Sequence, residues 1–361
     1  MTNIHTASEA PCTPHDARLL AAIDVGTVST RLILADVFAD GRVRPLERQA
    51  IITNLGTGVD ASGALDPVAI ERTCATIAGY GARLAELADA GQAASDIAIT
   101  LTSAARDASN ADELLGRLAA LGLDAQVIPG ETEARLSLLG VTSDFPGESV
   151  LVADIGGGST ELIEGVRNAG GKGALAVGCG VSYDVGCRRV TERFFGASDI
   201  PSSRDVDFAR VFIRTTLGAF FEGASSREAI PGTLACVGGT ATSLVAVANE
   251  LVPYDSSFVH LHSTSRSQVA ELTARLLSLG ASERRALPGL QPKRADVIAA
   301  GALILDELMD VGGFDAYVAS ESDSLFGLLT CLRCACDGAP SPIGWLPRST
   351  PARPFLEACR A

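Results

Sequence analysis

One short pattern occurs twice in the chain and constrains the fold more than any other feature. Ile23-Asp24-Val25-Gly26-Thr27 recurs as Ala153-Asp154-Ile155-Gly156-Gly157-Gly158-Ser159-Thr160. Each copy is an apolar run ending in Asp, then glycine and a hydroxyl residue, then another apolar run, which reads as strand, loop and strand. The repetition predicts two similar lobes, each offering one loop to a shared central cleft. Length agrees, since 361 residues with 47% hydrophobic content exceed one ordinary core and fit two domains.

Around the two copies, short β-branched runs alternate with longer Ala/Leu/Arg/Glu segments, the pattern of α/β layers. Strands are expected over 20–25, 31–37, 97–101, 150–155, 160–164 and 234–237, and helices over 67–90, 111–121, 131–140, 240–251, 267–279 and 295–309. Residues 1–18, polar with two prolines, and the Pro/Ser/Arg-rich segment 337–361 read as poorly ordered tails. That leaves an N-terminal lobe at 19–140 and a C-terminal lobe at 141–336.

No stretch reaches the roughly 18 apolar residues needed to cross a bilayer, and residues 1–17 lack the basic-then-apolar layout of a leader. A cytoplasmic protein with no membrane partner is expected. Nine scattered cysteines favour free thiols in a reducing compartment. Cys331, Cys334 and Cys336 form a local cluster, but no second pair or nearby histidine completes a zinc set. His260 and His262 alternate as in a strand and read as surface histidines. The net charge of −14 argues against nonspecific binding of a nucleic acid polymer, which needs a broad basic surface. A polyanionic ligand must therefore be held locally, by backbone amides, a few arginines and a metal.

The strongest local signal is Asp154-Ile155-Gly156-Gly157-Gly158-Ser159-Thr160-Glu161. Three successive glycines let a backbone take positive φ and approach a ligand closely, so that their amides form an anion nest. Ser159 and Thr160 add hydroxyl donors, while Asp154 and Glu161 can hold a hard cation. A plain hairpin turn is the competing reading. Val237-Gly238-Gly239-Thr240 follows a strand and opens a helix, whose free amides and dipole suit phosphate. In the segment 102–110, Arg106 and Asn110 can reach a phosphate, or simply cap a helix. Glu131 and Glu133, at a helix start, can orient an attacking water or complement the helix dipole. The stretch alone leaves both roles open.

Taken in order, AAIDVGTVSTRLI from Ala21, TSAARDASN from Thr102, GETEARL from Gly130, DIGGGSTE from Asp154, CVGGTATS from Cys236 and RADVIAAG from Arg294 resemble the exopolyphosphatase and guanosine pentaphosphate phosphohydrolase family. That family lies within the actin-like, sugar-kinase and Hsp70 superfamily. The resemblance runs from about Ala21 to Leu329. It implies an α/β fold of two ribonuclease-H-like lobes and hydrolysis of the terminal phosphoanhydride bond of inorganic polyphosphate. Glu133 resembles the residue that orients or deprotonates the attacking water. Asp154 and Glu161 look like ligands of Mg2+, with Mn2+ as a substitute. Gly156, Gly157, Gly158, Ser159, Thr160, Gly238, Gly239 and Thr240 look like phosphate clamps, with Asp24, Gly26, Thr27, Ser29 and Arg106 in the same cleft.

Three positions depart from the family pattern: Val28 replaces an asparagine, and Asn54 and Leu325 replace arginines. They are expected to remove three polar contacts from one cleft. The resemblance is to short members of the family, so no extra helical domain of the longer relatives is expected, which favours short polyphosphate or a nucleotide. Guanosine pentaphosphate is the alternative substrate, and noncatalytic binding of polyphosphate or alarmone is a further alternative. A kinase of the same superfamily is less consistent with GETEARL and DIGGGSTE. The resemblance allows a homodimer.

Overall fold

Both copies of the repeated pattern fold as hairpins with the same loop. In a computed structural model, which describes residues 16–167, 175–196, 199–222 and 230–360, β1 (Ala17–Val25) returns antiparallel as β2 (Ser29–Phe38). Likewise β6 (Ser149–Ile155) returns as β7 (Thr160–Arg167). The Gly26 amide donates to the Ser29 carbonyl at 2.9 Å, and the Gly156 amide to the Ser159 carbonyl at 3.0 Å.

The hairpins extend into two sheets of like topology. In the first, β3 (Val43–Ile52) adds antiparallel to β2, while β4 (Asp96–Leu101) lies parallel to β1 and β5 (Gln126–Val127) parallel to β4. In the second, β8 (Leu175–Tyr183) adds to β7, β9 (Thr233–Val237) lies parallel to β6, and the order is closed by β10 (Ser263–Ser265) and β11 (Ala316–Ala319). This is the two-lobed α/β architecture that the resemblance implies.

The main helices are α1 (Pro67–Asp89), α2 (Ala111–Ala120), α3 (Gly130–Val141), α4 (Ser203–Glu222), α5 (Gly238–Ala248), α6 (Arg266–Ser278), α7 (Ile298–Gly312), α8 (Ser324–Asp337) and α9 (Ala352–Ala358). Strand alternation sorts them into layers. Ala21, Ile23 and Val25 pack with α1, α2 and α9, while Leu20 and Ala22 pack with α3 and α8. Leu151, Ala153 and Ile155 face α4 to α7, while Val150 and Val152 face the α3/α8 layer. Both faces of both sheets are thus covered, which is why the central strands read as unbroken apolar runs. No helix among the described residues is long and apolar enough to cross a membrane.

Chain order, which assigns 19–140 to one lobe and 141–336 to the other, misses an exchange in the middle layer. Helix α3 packs on the second sheet, against β6, β7 and β8, while α8 packs on the first, against β1, β2 and β4. The two helices meet at their backbones: a Cβ on Gly327 would lie 2.1 Å from the Leu136 carbonyl oxygen, and one on Gly140 2.2 Å from that of Asp323.

The segment 337–361 is not a tail in its described part. Thr350–Pro351 forms β12 antiparallel to β4, and α9 buries Phe355 and Leu356 in the first lobe's outer core. Two adjacent apolar side chains suffice to anchor it, although the surrounding composition is that of a linker. At the other end, residues 1–15 lie outside the described residues, while Ala17 and Arg18 open β1. The polar edge strand β3 and the glycine-bearing β8 carry too little apolar periodicity to be read from sequence.

The helix contact makes a stability prediction. Gly327→Ala should lower the unfolding free energy by about 1–3 kcal/mol, because a methyl group is forced against backbone. Gly79→Ala, on α1 with open space around its Cα, should be neutral or slightly stabilising. Urea midpoints of the two variants measure the contrast.

Candidate active site

Where the lobes face each other, a cavity of about 60 Å³ opens between the two hairpin loops. Asp24, Gly26, Thr27 and Ser29 line it from the first lobe, and Asp154, Gly156, Gly157, Gly158 and Ser159 from the second. Gly238, Gly239 and Thr240 close it at the start of α5, and Glu133 enters from the first turn of α3. Sequence-expected residues from four separate segments therefore meet in one small space.

The triglycine turn presents its amides to that space by a simple geometric rule. The carbonyls of Gly156 and Gly157 accept from the amides of Cys187 (3.0 Å) and Arg188 (2.8 Å), and that of Gly158 from Arg189 Nε (2.8 Å). In a trans peptide the following N–H points the opposite way, so those of Gly157, Gly158 and Ser159 are directed to the cavity side. The expected positive φ is not the reason for glycine here, since none of the three adopts it. Close approach of the other lobe is. A Cβ on Gly157 would lie 2.6 Å from Val28 Cγ2, and one on Gly158 2.3 Å from Ser103 Oγ. Gly238, with φ +84°, does need its conformational freedom.

Strand register explains the charges. Directly opposite Asp24 in the β1/β2 ladder stands Arg31, whereas opposite Asp154 in the β6/β7 ladder stands Glu161. In the first lobe Arg31 donates to Asp24 Oδ2 through Nε (3.1 Å) and Nη2 (2.7 Å), to Asp323 Oδ2 through Nη1 (2.5 Å), and to Ser324 Oγ (3.0 Å). Burial opposes the Arg31 charge, but Asp323 and Asp24 outweigh it and hold its pKa above the usual value. The second lobe has no such cation in its own hairpin. Burial pushes the Asp154 carboxyl up, with Arg31 and a 2.8 Å hydrogen bond from Ser137 opposing. Glu161, which accepts from Ser182 at 2.6 Å, is pushed well up by burial and by repulsion from Glu133 and Asp154. Two facing buried carboxylates without a counter-ion are a fit donor set for a hard cation, whose remaining ligands would be phosphate oxygens and water.

Glu133 brings a further buried carboxyl to the cavity wall. Burial raises its pKa to about 7, Arg106 holds it back, and Asp24 and Asp154 add to the rise. Arg106 Nη1 donates to Glu133 Oε2 at 2.6 Å and to the Ile128 carbonyl at 3.0 Å.

Not every expected residue lies on the cavity wall. Arg106 is engaged with Glu133. The Thr160 hydroxyl donates to the Val185 carbonyl at 2.5 Å, and Glu161 lies behind the wall beside Ser182. Asn110 pins the backbone of Leu65 through both amide atoms, far from any phosphate role. The three departures from the family pattern do not share one cleft. Val28 lines the cavity, Asn54 accepts from Arg188 Nη2 at 2.5 Å beside a different groove, and Leu325 is buried in the middle layer. Cys331, Cys334 and Cys336 lie on α8 as free thiols, and among the described residues no group of three or more His, Cys, Asp or Glu could hold a metal by itself. His260 Nδ1 accepts from the Glu321 amide, and His262 stacks on Phe258.

Sequence reasoning missed two arginines. Arg31 was findable by counting outward from the hairpin turn, which pairs it with Asp24. Arg294 had no such signal. Its guanidinium covers Gly239, where a Cβ would lie 2.0 Å from Nη1, and it lines the cavity. Burial pushes its pKa below that of an ordinary arginine, and no side-chain hydrogen bond or ion pair engages it among the described residues. An unneutralised cation over an amide-lined cavity is suited to an anion.

Comparison with known proteins agrees with this geometry. The profile of the Ppx/GppA phosphatase family matches residues 33–321. Exopolyphosphatase 2 of Mycobacterium tuberculosis is 36% identical over 330 residues, covering 87% of this chain and 98% of that protein. The crystal structure of the Aquifex aeolicus Ppx/GppA family member is 29% identical with a TM-score of 0.68, covering 87% and 97% of the two chains. That of an exopolyphosphatase-like protein is 30% identical with a TM-score of 0.76 at the same coverage. An amide-lined cavity between two like lobes and a match over most of its length thus lead to one conclusion: the chain belongs to the Ppx/GppA phosphatase family.

Proposed function

We propose that this protein is an exopolyphosphatase, which hydrolyses the terminal phosphoanhydride bond of inorganic polyphosphate and releases orthophosphate. The observation that carries the reading is Glu133, a carboxylate with a pKa near neutrality on the wall of a cavity sized for little more than one phosphoryl group. Its ionised form accepts a proton from the water that attacks phosphorus, while the bond to the bridging oxygen breaks and the shortened chain leaves. Phosphoryl transfer asks chiefly for positioning and charge neutralisation, so the other residues hold the phosphate. The amides of 157–159, the N-terminus of α5 and Arg294 receive its oxygens. Thr27, Ser29, Ser159 and Thr240 supply hydroxyl contacts from both lobes.

Magnesium, or manganese in its place, would be held by Asp154 and Glu161, and would neutralise charge on the phosphate. Arg106 acts through Glu133, keeping it from being fully protonated at neutral pH. A cytoplasmic site of action fits the free thiols.

One feature favours hydrolysis of guanosine pentaphosphate as a second reading. Beyond Gly238, Gly239 and Arg294 the cavity adjoins a larger space of about 630 Å³, walled partly by Leu251, Val252, Tyr254 and Leu290. A nucleoside has apolar faces that such walls accommodate. Side-by-side kcat/KM values on tripolyphosphate, long polyphosphate and guanosine pentaphosphate decide between the two, and we expect the inorganic chains to be the better substrates.

Glu133→Gln should lower kcat by roughly 10²–10⁴-fold, the usual range for loss of a general base, with phosphate release as the assay. Because the base must be ionised, kcat/KM of the wild type should rise with pH and level off above about 7. Arg106→Gln removes the cation that stabilises ionised Glu133, so its acid limb should move to higher pH. An unmoved limb would show that a different group titrates.

A further inference from the structure

The segment Gly186–Glu192 touches both lobes next to the cavity, and one of its residues reaches the phosphate loop through its side chain. Arg189 Nε donates to the Gly158 carbonyl at 2.8 Å. Its two other nitrogens reach into the first lobe, Nη2 to Asp107 Oδ2 at 2.5 Å and Nη1 to Asp60 Oδ1. On either side, Arg188 donates to Asn54 and Glu192 accepts from the Gly58 amide. The Arg189 side chain is 15% exposed, so its pairs are only partly screened by water.

The carbonyl that Arg189 holds belongs to the same peptide plane as the Ser159 N–H. Rotating that plane would turn the N–H out of the cavity. The other anchors of the turn, the amides of Cys187 and Arg188, bond to it within the second lobe and follow the segment to which Arg189 belongs. Arg189 differs because its side-chain hydrogen bonds to carboxylates, at Asp60 and Asp107, both cross to the first lobe, whereas Asp184 of its own lobe stands off at 3.8 Å.

We propose that Arg189 is a positioning residue that couples apposition of the lobes to the orientation of the Gly158–Ser159 peptide, so that this phosphate donor is aimed only when the cleft is closed. The coupling runs from Asp60 and Asp107 through the guanidinium to the Gly158 carbonyl. It rests on the exopolyphosphatase reading for its kinetic consequence, but not for its structural one.

Two measurements on the full chain test it. With magnesium and tripolyphosphate, Arg189→Ala should lower kcat by about 10–100-fold with a smaller change in KM, as loss of one aimed donor does. Arg189→Lys, which can meet a carboxylate but cannot fork to three acceptors, should recover only part of it. Asp60→Ala with Asp107→Ala leaves the Arg189–Gly158 bond possible and removes its first-lobe acceptors. In that double variant, hydrogen exchange at Gly156, Cys187 and Arg188 in the second lobe should quicken about fivefold or more, though neither aspartate touches those residues. Exchange there equal to that of the wild type would overturn the proposal, as would an Arg189→Ala protein of unchanged kcat and melting temperature. Wild-type protein that released no phosphate from any inorganic chain would sink the polyphosphate reading instead, and the exchange result would still decide this one.

Discussion

A single buried guanidinium organises the interface between the lobes. Arg31 projects from β2 and reaches Asp24 on its own hairpin and Asp323 at the N-cap of α8. Taking these charges out of water is costly, and removing one partner from such a set leaves an uncompensated charge that typically costs about 3–5 kcal/mol. The arrangement therefore fixes where α8 begins relative to the first sheet. Because α8 meets α3 backbone to backbone at Gly327 and Gly140, it also fixes α3, and with α3 the position of Glu133. Glu133 is placed by a chain of contacts that starts outside its own helix.

The two hairpins share a turn but not a charge pattern, and that asymmetry underlies the proposed chemistry. Arg31 opposite Asp24 makes the first hairpin self-neutralising. Glu161 opposite Asp154 leaves the second short of a cation, with Glu133 a third carboxylate close enough to push the Glu161 carboxyl further up. A site of this kind stays poised for a metal and a polyphosphate together, because each compensates the charge of the other. Arg294 supplies a cation that no side chain pairs among the described residues, and it lies over Gly239 at the start of a helix whose amides already favour an anion.

Glycine serves different ends along the same wall. At 157 and 158 it removes side chains that would strike Val28, Thr27 and Ser103 of the opposite lobe. At 238 it permits a left-handed backbone that an L side chain adopts rarely. One residue type satisfies two unrelated constraints, and sequence inspection, which sees only the run of glycines, assigned the wrong one to the first loop.

Much of this was legible in the chain itself. The duplicated Asp-Gly-hydroxyl pattern determined two like lobes, and the six ordered motifs determined the family and brought Glu133, Asp154 and the glycine loops into consideration, because local spacing and strand periodicity are written directly in residue order. The described part of 337–361 was misread because two anchoring side chains, Phe355 and Leu356, are too few to outweigh a linker-like composition. What only the tertiary structure decided were relations between distant segments: the swap of α3 and α8 between sheets, the direction of the turn's peptide planes, the commitment of Arg106 to Glu133, and the arrival of Arg294 over Gly239. These depend on packing of surfaces brought together from opposite ends of the chain, and on the dielectric that such packing creates, neither of which any local stretch of sequence encodes.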